Sequence, residues 1–312
     1  MGKVIAICIS KEKGTQKAEV GSATLKEGWG IEGDAHAGDL HRQVSLLSYA
    51  EIEAFRAKGA KIGFGAFGEN LVVEGFALRK LPVGSRLQIG DAVLEVTQIG
   101  KECHSHCEIY RTMGDCIMPR EGIFAKTIQG GNICKGDDVS LLPMEPGRPF
   151  TAAVLTLSDK GSRGEREDRS GPLIQEMLKA QGYEVVETHI LPDQSQILKS
   201  HLVRLADQRQ VNVIFTTGGT GFSERDITPE ATMEVCDRMA NGIAEAIRYH
   251  SLAITGRAML SRAVSGIRKK TLIVNLPGSP KAVEESLGYL LAHLGHGLGI
   301  LRGTDGECGG NQ

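Results

Sequence analysis

The chain changes rhythm at Met144-Glu-Pro-Gly-Arg-Pro149, a Pro/Gly-rich break between two different patterns. Before it, short strand-like runs at residues 4–9, 43–47, 71–73, 86–89 and 92–97 follow closely on one another, with one helical stretch at 48–57. Glycines such as Gly28, Gly30, Gly33, Gly38 and Gly68 punctuate these runs, so a mostly-β barrel is expected. After the break, strand and helix alternate. Apolar runs at 152–157, 184–191, 211–215 and 271–275 are spaced by amphipathic stretches, one carrying Leu173, Ile174, Met177 and Leu178, another Ile197, Leu198, Leu202 and Leu205. Helical residues are expected from Pro229 to about residue 263, and a last helix from Pro280. Such alternation implies an α/β domain with a mostly parallel sheet and helices on both faces. The boundaries drawn from this are 1–144, a linker at 145–150, a second domain at 151–303 and a Gly-rich tail at 304–312.

Length and composition agree with two soluble domains. The 312 residues suffice for two cores, and 36 basic against 38 acidic side chains leave a net charge of −2. That balance speaks against a nucleic-acid or membrane partner. No apolar run reaches membrane-spanning length, and no signal peptide precedes the first strand-like run. Seven cysteines, four of them between Cys103 and Cys134, suit reduced thiols, so a cytoplasmic protein is expected.

In open α/β sheets ligands bind at the carboxyl ends of the strands, and four unusual segments leave such ends here. The first is Thr156-Leu-Ser-Asp-Lys-Gly161 with the charged loop to Pro172; the second is Leu191-Pro-Asp193. The third is Thr216-Thr-Gly-Gly-Thr-Gly-Phe-Ser-Glu-Arg-Asp-Ile-Thr-Pro-Glu230, and the fourth Asn275-Leu-Pro-Gly-Ser-Pro-Lys281. In the third, Gly218, Gly219 and Gly221 allow close backbone approach to a ligand, and Thr228-Pro229 reads as an N-cap and helix start. Strand, glycine loop and helix together present N–H groups to an anion. In the fourth, Ser279 reads as an N-cap with Pro280 at the first helical position. Plainer readings stay open: Asp193 capping its own helix with Gln196, Asp226 as a solvated charge, 275–281 as a mere turn. Two carboxylates, two helix starts and a glycine loop on one sheet edge nevertheless suit phosphates and Mg²⁺, as in phosphoryl or nucleotidyl transfer. Candidate substrate-binding residues are Ser158, Asp159, Gly218, Gly219, Thr220, Gly221, Ser223, Asn275, Pro277, Gly278 and Ser279. No Gly-x-x-x-x-Gly-Lys-Ser/Thr occurs, and the Gly-x-Gly-x-x-Gly at 63–68 follows a helix instead of a strand, the wrong context for a dinucleotide.

The first half carries a second candidate cluster, Lys101-Glu-Cys-His-Ser-His-Cys107 with Cys116 and Cys134. Three readings compete: a soft-metal site, inert buried thiols, or a reactive thiolate that carries sulfur or faces a metal.

Residues 151 to about 302 resemble the molybdopterin-binding family that includes bacterial molybdopterin adenylyltransferase. The motifs are Leu157-Ser-Asp-Lys-Gly161 with Asp168-Arg-Ser-Gly-Pro172, Leu191-Pro-Asp193, the stretch 216–229, Ser261-Arg-Ala-Val-Ser-Gly-Ile267, and Asn275-Leu-Pro-Gly-Ser-Pro-Lys281. The resemblance implies a three-layer α/β/α domain, usually trimeric, that moves an adenylyl group from ATP to molybdopterin with Mg²⁺. The family's essential carboxylates map onto Asp193 and Asp226, which would also hold the Mg²⁺.

The first half resembles the MOSC domain, named for the C-terminal domain of molybdenum cofactor sulfurase. The support is Gly33-Asp34, His41-Arg-Gln-Val44, Phe67-Gly-Glu-Asn-Leu71, Cys103 and Gly130-Gly-Asn-Ile-Cys-Lys-Gly-Asp137. That resemblance implies a β-barrel binding molybdenum cofactor, with Cys103 carrying sulfur or meeting the metal. Arg42, His104 and Cys107 are candidates beside it, His104 and Cys107 being extra to the general pattern. Both halves thus point to molybdenum cofactor biosynthesis, and molybdenum insertion and sulfurase proteins are expected partners. The alternatives are a non-catalytic cofactor carrier, and a MOSC module acting as a molybdenum-dependent reductase.

Overall fold

A computed structural model describes residues 1–103, 108–145 and 147–305. The chain divides into two compact units, Met1–Pro146 and Gly147–Gln312. Among the described residues no helix is long and apolar enough to cross a membrane.

In the first unit seven strands close into a barrel. Their order is Gly2–Ile9, Leu71–Glu74, Val44–Ser48, Ile123–Gln129, Ala92–Ile99, Arg86–Ile89 and Asp138–Leu142, and the last pairs back onto the first at Gly2↔Val139. Val44–Ser48 and Leu71–Glu74 run parallel; the other pairings in the ring are antiparallel. Strand period two explains the two cores. Val44, Leu46, Leu71, Val73, Leu94 and Val96 fill the interior. Cys8, Leu47, Val72 and Phe124 face outward, under Ile52 and Phe55 of the helix Tyr49–Arg56. The short strands Ser22–Lys26, Gly30–Ile31 and Gly131–Cys134 form a separate three-stranded sheet that the sequence reading did not contain.

A buried polar knot ties the barrel's loops together, and it consumes much of the MOSC-like motif. Lys17 Nζ lies 2.6 Å from Asp34 Oδ2, with side chains 3% and 1% exposed. The same carboxylate accepts from Ser10 N (3.1 Å), Asn70 Nδ2 (3.0 Å) and His36 N (2.8 Å). Burial alone pushes the Asp34 carboxyl up, but these hydrogen bonds and the Lys17 charge together hold it below the usual range. The glycines at 63–68 form a turn closed by buried Glu69, whose carboxylate accepts from Gly65 N (2.7 Å) and Phe67 N (3.0 Å). That stretch is structural.

In the second unit a six-stranded sheet runs Glu184–Leu191, Thr151–Leu157, Val213–Thr217, Thr271–Leu276, Ser265–Arg268, Arg238–Met239. The first three pairings are parallel and the last two antiparallel. Alternate residues of each central strand serve opposite faces. Val154, Phe215 and Val274 pack with Ile174, Ile247 and Leu287, from the helices Ser170–Ala180, Asn241–Leu252 and Pro280–Arg302. Leu155, Ile214 and Ile273 pack with Leu198 and Ala231, from Ser195–Asp207 and Thr228–Val235. The helical run expected from Pro229 to about 263 is broken: Arg238–Met239 pairs with Ser265–Arg268 as an antiparallel hairpin, with Asn241–Leu252 and the 3₁₀ turn Gly256–Leu260 between them.

Replacing Asp34 by Ala leaves a buried ammonium without its partner, and urea unfolding is expected to show a loss of about 3–5 kcal/mol. The double substitution Lys17→Met with Asp34→Leu should recover most of it. Because the folded-state pKa of Asp34 is depressed, its contribution is present above the unfolded carboxyl pKa of about 4 and lost as pH falls through the folded value.

Candidate active site

Four loops leave the carboxyl ends of the parallel strands, and hydrogen bonds stitch them into one edge. The first and second are clasped by two aspartates: Asp159 N donates to Asp193 Oδ2 and Asp193 N donates to Asp159 Oδ1, both at 3.0 Å. Asp193 therefore does not cap its helix; the N-cap is Gln194, without a side-chain bond. Ser158 does cap, accepting from Gly161 N at 3.0 Å. Asp168 holds the next helix start, accepting from Ser170 N and Gly171 N at 3.0 and 2.9 Å.

The glycine loop sits at the centre. Gly218 and Gly219 have φ of 94° and 64°, and a Cβ on Gly218 would lie 2.5 Å from Leu157 O, so only glycine fits there. Thr228 is the first helical residue and not the N-cap expected: its hydroxyl donates to Gly218 O (2.9 Å) and its N–H to Gly219 O (3.1 Å). Ser223 N donates to Asp226 Oδ2 (3.0 Å) and Asp226 N to Ser223 O (2.9 Å), which closes a turn and fixes the carboxylate. A Cβ on Gly221 would stand 2.9 Å from Asp226 Oδ2, and one on Gly219 would stand 3.6 Å from Asp193 Oδ1. Both carboxylates thus border the loop.

The fourth loop backs the glycines. Thr217 Oγ1 donates to Pro277 O (2.6 Å), Ser170 Oγ to Gly278 O (2.9 Å), and a Cβ on Gly278 would touch Gly218 Cα at 3.4 Å. Ser279 caps the last helix as expected, accepting from Ala282 N at 3.3 Å. Asn275 is fully buried and its amide is engaged inside the protein, donating to Thr216 and Thr232 hydroxyls (2.9 Å each) and accepting from Val264 N. It ties strands together.

Two groups escaped the sequence reading. Arg225 pairs with Asp159 across the mouth of the loops. Arg262 donates to Gly221 O (2.6 Å) and Asp226 O (2.5 Å) and pairs with Glu230. Arg262 stood in the recognised motif 261–267, but its aim depends on a return of the chain from outside the loop.

The backbone polar groups of the loop divide unevenly. The carbonyls of Gly218, Gly219, Thr220, Gly221, Ser223 and Asp226 all accept from protein donors. Among the described residues, the N–H groups of Gly219, Thr220, Gly221 and Phe222 donate to no protein acceptor. Over Gly218–Gly221 the acceptors are engaged while the donors of Gly219–Gly221 stay open, a pattern that selects an anion. Beside it, burial first and the charge of Asp226 second push the Asp193 carboxyl above its usual range. A divalent cation would relieve that repulsion, so two hard oxygen ligands fit Mg²⁺ completed by phosphate oxygens and water. Among the described residues no group of three or more His, Cys, Asp or Glu is arranged for a metal.

The model of a probable molybdopterin binding domain matches residues 153–296. The molybdopterin adenylyltransferase of Helicobacter pylori J99 is 41% identical over 153 residues, 48% of this chain and 87% of that protein. Through its second half, the chain belongs to the molybdopterin adenylyltransferase family. The Escherichia coli K12 molybdopterin adenylyltransferase is 40% identical over 137 residues, 43% of the chain and 70% of the relative. Among solved structures, the molybdopterin biosynthesis enzyme MoaB of Thermus thermophilus is 45% identical, covering 49% of this chain and 97% of its own, with a TM-score of 0.48. The MOSC domain model matches residues 33–140.

Of the MOSC candidates, Cys103 and Arg42 fall among the described residues. Cys103 is an exposed free thiol. Arg42 is exposed, its guanidinium 5.6 Å from the centre of the Phe124 ring. His104 and Cys107 lie outside the described residues.

Asp193→Asn is expected to raise the melting temperature of the ligand-free protein at neutral pH. With a raised folded pKa, the native state binds the proton more tightly than the unfolded chain. Stability therefore falls as pH rises from about 3.9 through that folded value, and the amide removes the cost. A calorimetric scan checks the sign; a lower melting temperature would count against repulsion at this pair.

Proposed function

We propose that the second unit transfers the adenylyl group of ATP to the terminal phosphate of molybdopterin. A phosphate oxygen of molybdopterin attacks the α-phosphorus, the bond from that phosphorus to the bridging oxygen breaks, and pyrophosphate leaves. What carries this reading is the run of open N–H donors at Gly219–Phe222 with Asp193 and Asp226 on its border. The similarity to molybdopterin adenylyltransferases covers the same segment. The open donors would hold the pterin phosphate, while Asp193 and Asp226 would hold Mg²⁺. When bound, the ion would neutralise charge building on the departing pyrophosphate. Asp159 and Ser223 fix the two carboxylates before any ligand arrives, so little reorganisation is left for the reaction itself.

The first unit is proposed to bind, modify or hand on the cofactor, with the exposed thiol of Cys103 as its reactive group. Molybdenum insertion and sulfurase proteins are its proposed partners, and the cytoplasm the proposed setting. The homotrimer implied by the family resemblance also belongs to this proposal. It would cover exposed Tyr249, Leu252, Met259 and Leu260, and an apolar groove of about 510 Å³ lined by Ile243, Tyr289, Leu290 and Leu294.

The test is turnover of the full chain with molybdopterin, ATP and Mg²⁺. Wild type is expected to form adenylyl-molybdopterin and pyrophosphate, and Asp226→Asn to lose about 10²–10³-fold in kcat. Tight molybdopterin binding by wild type with no product would leave a carrier in place of a transferase.

A further inference from the structure

Arg262 reaches the glycine loop from the side of its carbonyls. Its backbone N–H donates to Thr220 O (3.0 Å), Nε to Gly221 O (2.6 Å) and Nη2 to Asp226 O (2.5 Å), while Nη1 pairs with Glu230. One residue thus satisfies acceptors at both ends of the segment 220–226 and ties them to the first turn of Thr228–Val235. We propose that Arg262 is the positioning residue of this site, holding the loop N–H groups and Asp226 in the geometry that transfer requires. This rests on the transferase reading given above.

Three observations support it. The first is chemical: a planar guanidinium satisfies several acceptors in fixed directions at once, which an ammonium on a flexible stem does not. The second is that Arg262 is itself held from behind. Val264 N donates to Asn275 Oδ1 (3.2 Å), Asn275 N to Val264 O (3.0 Å), and Arg248 Nη1 to Ala263 O (2.6 Å). Buried Asn275 and the helix Asn241–Leu252 therefore fix the segment that carries it. The antiparallel hairpin at the sheet edge gains a purpose in this way, because its strand Ser265–Arg268 begins three residues after Arg262. The third is the division of polar groups in the loop. Each carbonyl engaged by Arg262 is withdrawn from the ligand side, and the neighbouring N–H groups stay open. The ion pair with Glu230 is only partly buried, and surface pairs of this kind are worth about 0–1 kcal/mol. The bonds to backbone carbonyls set the geometry.

Arg262→Ala and Arg262→Lys in the full chain separate geometry from charge. Amide hydrogen exchange of residues 218–226 is expected to quicken in Arg262→Ala, while the barrel strands exchange as before. In the transfer assay, kcat should fall about 10²-fold, as for a displacement of about 1 Å, and half-saturation by Mg²⁺ should move to higher concentration. Arg262→Lys keeps the charge and should recover little, whereas added guanidinium ion should partly restore Arg262→Ala. Unchanged exchange in the loop, or kcat within about threefold of wild type, would overturn the assignment. An inactive wild type would instead sink the transferase reading, and the exchange measurement would still decide the role of Arg262.

Discussion

Gly218 leaves the central strand at a point where any Cβ would lie 2.5 Å from the carbonyl oxygen of Leu157. Because no side chain intervenes, the end of Val213–Thr217 lies directly against its neighbour Thr151–Leu157, and the chain can turn there with φ of 94°. The rest of the site follows from that turn. Thr228 closes it by donating to the carbonyls of Gly218 and Gly219, and Gly278 packs against it from the last parallel strand. A helix start, two carboxylates and a row of open amides are thereby brought to one edge.

The electrostatics of that edge are the reverse of what stability alone would choose. Asp193 is half-buried beside Asp226, and its carboxyl is pushed up by burial and by that neighbour. The barrel treats a buried carboxylate in the opposite way: Asp34 is surrounded by Lys17, Asn70 and two backbone donors, and its pKa is lowered. One acid is satisfied, and the other is left with its charge opposed by burial and by a neighbouring carboxylate. Acids of the second kind belong where a ligand with complementary charge arrives.

Arg86–Ile89, Glu184–Leu191 and Thr151–Leu157 were legible in the sequence: in Thr151–Leu157 burial on both faces demands an apolar run, Arg86–Ile89 alternates buried with exposed residues, and the edge strand Glu184–Leu191 shows through its β-branched residues. The Ser279–Pro280 helix start was legible as well, since a cap is a local bond. Strands such as Ser22–Lys26 and Arg238–Met239 were not, being short, polar and paired only through distant partners. Local rules also misread one threonine and offered one aspartate a cap it does not make. Thr228 was expected to cap and instead donates backward, and the capping alternative for Asp193 gives way to the clasp with Asp159. In both, tertiary partners outcompete the neighbouring amide. Arg262 shows the same limit: the backbone acceptors of its guanidinium lie 36 and 41 residues away along the chain, and nothing in its local sequence points at them.

The most direct measurement is anomalous diffraction from crystals of the full chain grown with Mn²⁺, molybdopterin and a non-hydrolysable ATP analogue. One ion shared by the carboxylates of Asp193 and Asp226, with phosphate oxygens on the amides of Gly219–Phe222, is the expected result. An ion held away from both carboxylates, or phosphates bound elsewhere while these amides stay open, would contradict the account.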